Sequence, residues 1–106
     1  MADSNKMSFD FDDTLSTSKG QELAKKYIDE GYEVYIVTAR QRQDSKAVYE
    51  VADKLGIPHI RIFFTNGKDK WHTIERLDIG IHYDNNPEQI RLINENTECE
   101  GRLFKS

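Results

Sequence analysis

One cysteine, Cys99, is all the sequence holds, so an intramolecular disulfide and a multi-thiolate metal site are both excluded. That usage suits a reducing, cytoplasmic compartment. No apolar run approaches the length that spans a bilayer, so no membrane association is expected. The leading "MADSNK" lacks the charged-then-apolar order of a signal peptide. Excess positive charge is also missing: 15 Lys and Arg face 19 Asp and Glu, a net charge of -4. Proteins that grip many nucleic-acid phosphates are usually basic, so extensive duplex binding is not expected, although a visit to a strand end stays open. Repeats, low-complexity tracts and linker-like stretches are absent, and 106 residues suit one domain, 1–106, with a single modest core.

What the sequence does have is 37% hydrophobic and 32% charged residues, the balance of a globular protein, arranged in two alternating hydrophobic periods. Met7, Phe9 and Phe11 alternate as in a strand. The capping cluster "STS" then precedes Leu23, Ala24, Tyr27 and Ile28 at helical spacing, ended by Gly31. "YEVYIVT" reads as a second strand buried on both faces. Asp44 is placed to cap a helix carrying Ala47, Val48, Val51 and Leu55, closed by Gly56 and Pro58. "HIRIFF" predicts strand three, followed by the turn pair Asn66-Gly67. A short helix over Lys70 to Leu77, a strand "IGIHYD", a helix opened by Asn86-Pro87 and a fifth strand in "ECEGRLF" complete the pattern. Alternation with short connections predicts an α/β fold: a doubly wound, Rossmann-like, mostly parallel five-stranded sheet flanked by helices. Such sheets bind ligands beyond the carboxyl ends of their strands, where the strand order switches.

The chemically capable residues fall at those ends. Asp10, Asp12 and Asp13 follow strand one, Thr38, Ala39 and Arg40 follow strand two, and Lys70 opens the third helix. Asp84, Asn85 and Asn86 follow strand four. Residues two apart on an extended chain share a side, so Asp10 and Asp12 are expected to face one ligand, joined by Asp84 if strands one and four are neighbours. Three hard oxygen donors without histidine or thiolate suit Mg2+, which commonly bridges to phosphate. Lys70 and the Thr38 hydroxyl supply positive charge and a hydrogen bond for phosphate oxygens. The set reads as a phosphoryl-transfer site.

In these residues the sequence resembles the haloacid dehalogenase (HAD) superfamily of phosphohydrolases. The family's Asp-x-Asp-x-Thr is matched by Asp10, Asp12 and Thr14, and its strand ending in Thr or Ser by "VYIVT" and Thr38. Its lysine before a helix is matched by Lys70, with Lys68 as fallback, and its acid-terminated strand by "IGIHYD" and Asp84. The resemblance implies that Asp10 is the nucleophile forming an aspartyl-phosphate, and that Asp12 is the general acid and then the base. Thr38 and Lys70 would hold the phosphoryl oxygens, while Thr14, Ala39 and Arg40 would border the substrate. Mg2+ would be held by Asp10, the backbone carbonyl of Asp12 and Asp84. Many relatives place a second acid beside the last aspartate. Here Asn85 and Asn86 follow, and Asn85 or Glu88 is expected to act through water. Asp13 stands where glycine is common in the family, and its side chain is expected to point away from the site.

Relatives that act on small metabolites usually carry a cap domain after the first motif or between the second and third. Neither interval has room for one, so the resemblance is to capless members with open sites. The chain is similar in this to the phosphatase half of polynucleotide kinase-phosphatases and to small phage-type HAD proteins. That implies a phosphorylated substrate such as a nucleotide, a nucleic-acid end or a phosphoprotein, and an oligomer could supply the missing lid. Two other readings compete. One is a receiver-like phospho-acceptor switch, although "FFTNG" lacks the expected aspartate; the other is a HAD-like protein that binds phosphate or a partner without turnover. Trp71 and Tyr83 could stack on a base, with packing the simpler role. His82 is expected to pack or to support the site, and His59 and His72 have no evident partner.

Overall fold

A computed structural model describes residues 3–106; Met1 and Ala2, which begin the leading segment, lie outside the described residues. Five strands form one sheet: β1 (Asp3–Phe9), β2 (Glu33–Thr38), β3 (Ile62–Phe64), β4 (Ile79–Asp84) and β5 (Glu100–Leu103). All pairings are parallel and the strand order is β3-β2-β1-β4-β5. The doubly wound α/β fold is therefore present. Its order is that of the first five strands of the dinucleotide-binding sheet, not the 2-1-3-4-5 order of receiver-type folds. The topological switch falls between β1 and β4.

Four helices connect the strands: α1 (Ser18–Asp29), α2 (Lys46–Leu55), α3 (Trp71–Arg76) and α4 (Pro87–Asn96). One face of the sheet packs Met7, Phe9, Val34 and Ile36 against Ala24 of α1 and Val48 and Ala52 of α2. The other packs Tyr35, Val37 and Ile79 against Ile74 of α3 and Ile93 of α4. With a helical layer on each side, Met7 to Phe9 and Val34 to Thr38 are buried on both faces. Only one helix lies between Thr14 and Thr38, and one helix with a three-residue strand between Thr38 and Lys70, which leaves no cap domain among the described residues. No helix among them is long and apolar enough to cross a membrane.

Three local expectations need correction. Phe11 is not on strand one: the strand ends at Phe9, and Phe11–Leu15 forms an irregular turn that buries Phe11, Thr14 and Leu15. Strand three is shorter than "HIRIFF" because Pro58 starts a single 3-10 turn over His59–Arg61, leaving Ile62–Phe64 to pair with β2. Helix α2 is preceded by Ser45 rather than capped by Asp44, whose carboxylate instead accepts from Arg40 Nη1 at 3.4 Å. The other signals hold. The Thr17 hydroxyl caps α1 by accepting from Gly20 N–H, Asn86 Oδ1 accepts from Glu88 N–H at α4, and Gly56 closes α2 at φ 77°.

Gly20 matters for the site. A Cβ there would stand 1.9 Å from the Thr14 carbonyl oxygen, so only glycine lets the first turn of α1 press against the turn that carries Asp12 and Asp13. Asp13 itself sits at φ 58°, the left-handed region that favours glycine. Aspartate is among the few other residues that adopt it as a single residue.

Candidate active site

At the carboxyl edge of β1 and β4 lies an open hollow of about 440 Å³ bordered by Asp10, Asp12, Asp13, Ala39, Lys70, Asp84 and Asn85. Residues from four distant segments meet there. Lys70 occupies the cap position of α3 and sends its ammonium inward, donating to Asp10 Oδ1 and to Asp84 Oδ2, each at 2.7 Å. All three residues are buried: Asp10 is 5%, Lys70 4% and Asp84 0% exposed. Lys68 lies on the exposed turn and takes no part.

Asp10 is held from several sides. Its Oδ2 accepts from the Thr14 hydroxyl at 3.2 Å. Both atoms of the Asn85 amide find suitable partners only when its nitrogen faces Asp10 Oδ2 at 2.8 Å and the Asp12 carbonyl at 3.3 Å. Thr14 therefore supports Asp10 from within the core rather than bordering open space, because its hydroxyl is buried and already engaged. Burial pushes the Asp10 carboxyl above its ordinary value; Lys70 opposes this and Asp84 adds to it. For Asp84, burial works in the same direction. The hydrogen bond from His82 and the charge of Lys70 outweigh it and bring the carboxyl down to about 2. Two carboxylates sharing one cation thus divide, Asp84 being the more firmly ionised.

Behind Asp84 stands a pair that the sequence reading placed only in part. His82 Nε2 lies 2.9 Å from Asp84 Oδ2, and His82 Nδ1 lies 2.6 Å from Ser8 Oγ. Ser8 was not singled out from the sequence. Its signal was there: Ser8 precedes Asp10 by two at the extended end of β1, as His82 precedes Asp84 by two on β4. A period of two puts such residues on one face.

Asp12 is differently placed. Because the chain has left the strand, its approach to the hollow comes from the turn and not from strand alternation. Arg40 Nη2 reaches Asp12 Oδ1 at 2.8 Å and Arg40 Nε reaches Oδ2 at 3.1 Å, while the guanidinium rests 5.0 Å from the Phe11 ring centre. That hydrogen bond raises the affinity of Arg40 for its proton. Arg40 is thus clasped by Asp12 and Asp44 and is not a free cation waiting at the rim. Asp13, expected to point away, borders the hollow. Thr38 is fully buried at the end of β2, where its hydroxyl accepts from Arg40 N–H at 3.2 Å.

Glu88 does not join the site. Its carboxylate takes two hydrogen bonds from Arg91, at 2.7 and 2.8 Å, one helical turn on, and it does not border the hollow. Trp71, the first residue of α3, packs against the core, and Tyr83 stacks on Phe9 at 5.4 Å between ring centres. Both are therefore packed side chains. Gln89, unremarked in the sequence, fixes Lys70: its Oε1 accepts from Lys70 N–H at 3.0 Å.

The donor chemistry fits a hard divalent cation. Asp10, Asp84 and the Asp12 carbonyl supply only oxygens, and two carboxylates face a single lysine ammonium. Among the described residues no three His, Cys, Asp or Glu side chains form a metal-binding group. A set of two carboxylates, one carbonyl and water is not of that kind.

No protein-family model matches the chain, and no curated protein matches it in sequence. Among solved structures it is similar to one named "putative 3-deoxy-D-manno-octulosonate 8-phosphate phosphatase" from Vibrio cholerae. The identity is 16% and the TM-score 0.55, over 96% of this chain and 75% of that one. The two share a fold, the doubly wound α/β core.

Proposed function

We propose that the protein is a Mg2+-dependent phosphomonoester hydrolase that works through an aspartyl-phosphate on Asp10. The observation that carries this reading is the buried Asp10–Lys70–Asp84 cluster at the switch point of the sheet, with Asp12 on the rim of the same hollow. A neighbour of the same fold whose name describes a phosphatase supports it.

Lys70 orients Asp10 and adds positive charge where phosphoryl oxygens would lie. Thr14 and Asn85 fix the other Asp10 oxygen, leaving the carboxylate little freedom to rotate. In the first step an Asp10 oxygen bonds to phosphorus as the ester P–O bond breaks, and Asp12 gives its proton to the departing oxygen. In the second, Asp12 takes a proton from water, the water oxygen bonds to phosphorus, and Asp10 leaves as carboxylate with inorganic phosphate released. For Asp12 to carry that proton, Arg40 must yield one of the two oxygens it now clasps. Asp10, Asp84 and the Asp12 carbonyl would hold Mg2+, which supplies neutralisation of phosphate charge. The hollow is open and uncapped, which favours a phosphate at the exposed end of a nucleotide, a nucleic acid or a protein.

Turnover of an aryl phosphate with saturating Mg2+ tests the proposal. Asp10→Asn is expected to lower kcat by about 10⁴-fold or more, and Asp12→Asn by about 10²–10⁴-fold. Wild-type protein inert toward aryl, nucleotide and 3′-phosphorylated oligonucleotide substrates would refute it.

A further inference from the structure

Ser8 and His82 face each other as direct partners in the register of β1 and β4, and neither has any exposed surface. A hydroxyl and an imidazole in that position cost desolvation that an apolar pair would avoid. The bond between His82 and Asp84 has a fixed direction. The Asp84 carboxylate can only accept, so His82 Nε2 carries a proton and donates to Oδ2 at 2.9 Å. Nδ1 lies 2.6 Å from the Ser8 hydroxyl, which can donate to it or accept from it. Asp84 Oδ2 thereby receives His82 and Lys70 together, while Oδ1 accepts from Asn86 N–H at 3.0 Å. A carboxylate held at both oxygens from three directions cannot turn about its Cβ–Cγ bond.

We infer that Ser8 and His82 are a positioning pair that fixes the Asp84 carboxylate for the divalent cation and for Lys70. The inference rests on the reading of this site as a Mg2+ site, but not on its turnover. Partners that orient a metal-ligating group commonly change affinity by about 10–100-fold when lost. Asp84 keeps a proton on His82 Nε2, and the Ser8 hydroxyl anchors the ring at Nδ1 so that Nε2 stays aimed at Oδ2.

Calorimetric titration of the full chain with MgCl2 alone, beside aryl phosphate kinetics, tests it. His82→Leu is expected to weaken Mg2+ binding by about 10–100-fold, and Ser8→Ala by a smaller factor. In His82→Gln the amide nitrogen takes the place of Nε2, so most of the affinity should return although the Ser8 bond is lost. A merely structural role would leave Mg2+ affinity unchanged in every folded variant, or would rank Gln with Leu; either result overturns the inference. So does wild-type protein that binds no Mg2+. Should His82→Leu fail to fold, unchanged affinity in Ser8→Ala would overturn it and a weakened one would support it. Ranked Mg2+ affinities without turnover would sink the phosphatase reading and leave the positioning pair standing. Turnover with unranked affinities would do the reverse.

Discussion

Asp10 and Asp12 stand two residues apart, yet Asp10 is buried against Lys70 while the Asp12 side chain is 54% exposed and clasped by Arg40. The Asp10 neighbourhood is a closed network: Lys70, Asp84, His82, Thr14 and Asn85 saturate it from the core side. The Asp12 neighbourhood is a rim, where one guanidinium shared with Asp44 provides the contact. The difference matches the tasks proposed for them. A nucleophile must be held still, whereas a group that shuttles protons must reach both leaving group and water. Burial also decides the energetics, because a charge that loses its partner in the core has no water to turn to.

Removing the cation at the centre should therefore have the largest effect. Lys70→Met leaves two buried carboxylates without their shared partner and is expected to destabilise the fold by about 3–5 kcal/mol at pH 7, read from denaturant midpoints. A loss below 1 kcal/mol would mean the core network is not a closed one. Next comes acid. In metal-free buffer, Asp84 has a folded pKa of about 2, below its ordinary 3.8. Its contribution, about 2 kcal/mol by linkage, is present above the ordinary value and fades as pH falls through about 2. The stability gap between wild type and Asp84→Asn should accordingly be constant near neutrality and narrow below about pH 4. Asp10, shifted upward, has the opposite sign: its contribution is favourable below the ordinary carboxylate value and is lost as pH rises through its higher folded value. The smallest effect is expected on the rim. Arg40→Ala should cost less than about 1 kcal/mol, the range of exposed ion pairs. A cost as large as that of Lys70→Met would erase the distinction between centre and rim.

The large features of this architecture were legible in the sequence for a simple reason. The apolar run of "YEVYIVT" and helical spacing from Leu23 to Ile28 are local signals, and their sum fixes a βα order that few topologies satisfy. The positions of Asp10, Lys70 and Asp84 followed, because a parallel sheet gathers strand ends on one edge. Side-chain partnerships were harder. Glu88 looked available until Arg91, three residues on, proved to hold it, a contact that helical spacing alone could have suggested. Phe11 extended an alternating pattern but opens the irregular turn beyond the end of β1, where tertiary packing, not periodicity, decides the chain's path. Pairing of Ser8 with His82 required knowing which strands are neighbours, and 74 residues separate the two in sequence.

The central claim is a covalent one, that phosphate passes through Asp10. Its most direct test is to quench the protein with borohydride during steady turnover of an aryl phosphate and map the chain by mass spectrometry. An acyl phosphate on Asp10 is reduced to homoserine, so the account expects homoserine at position 10 and at no other aspartate. Steady turnover with Asp10 recovered unmodified, or with the label at Asp12 or Asp13, would contradict it.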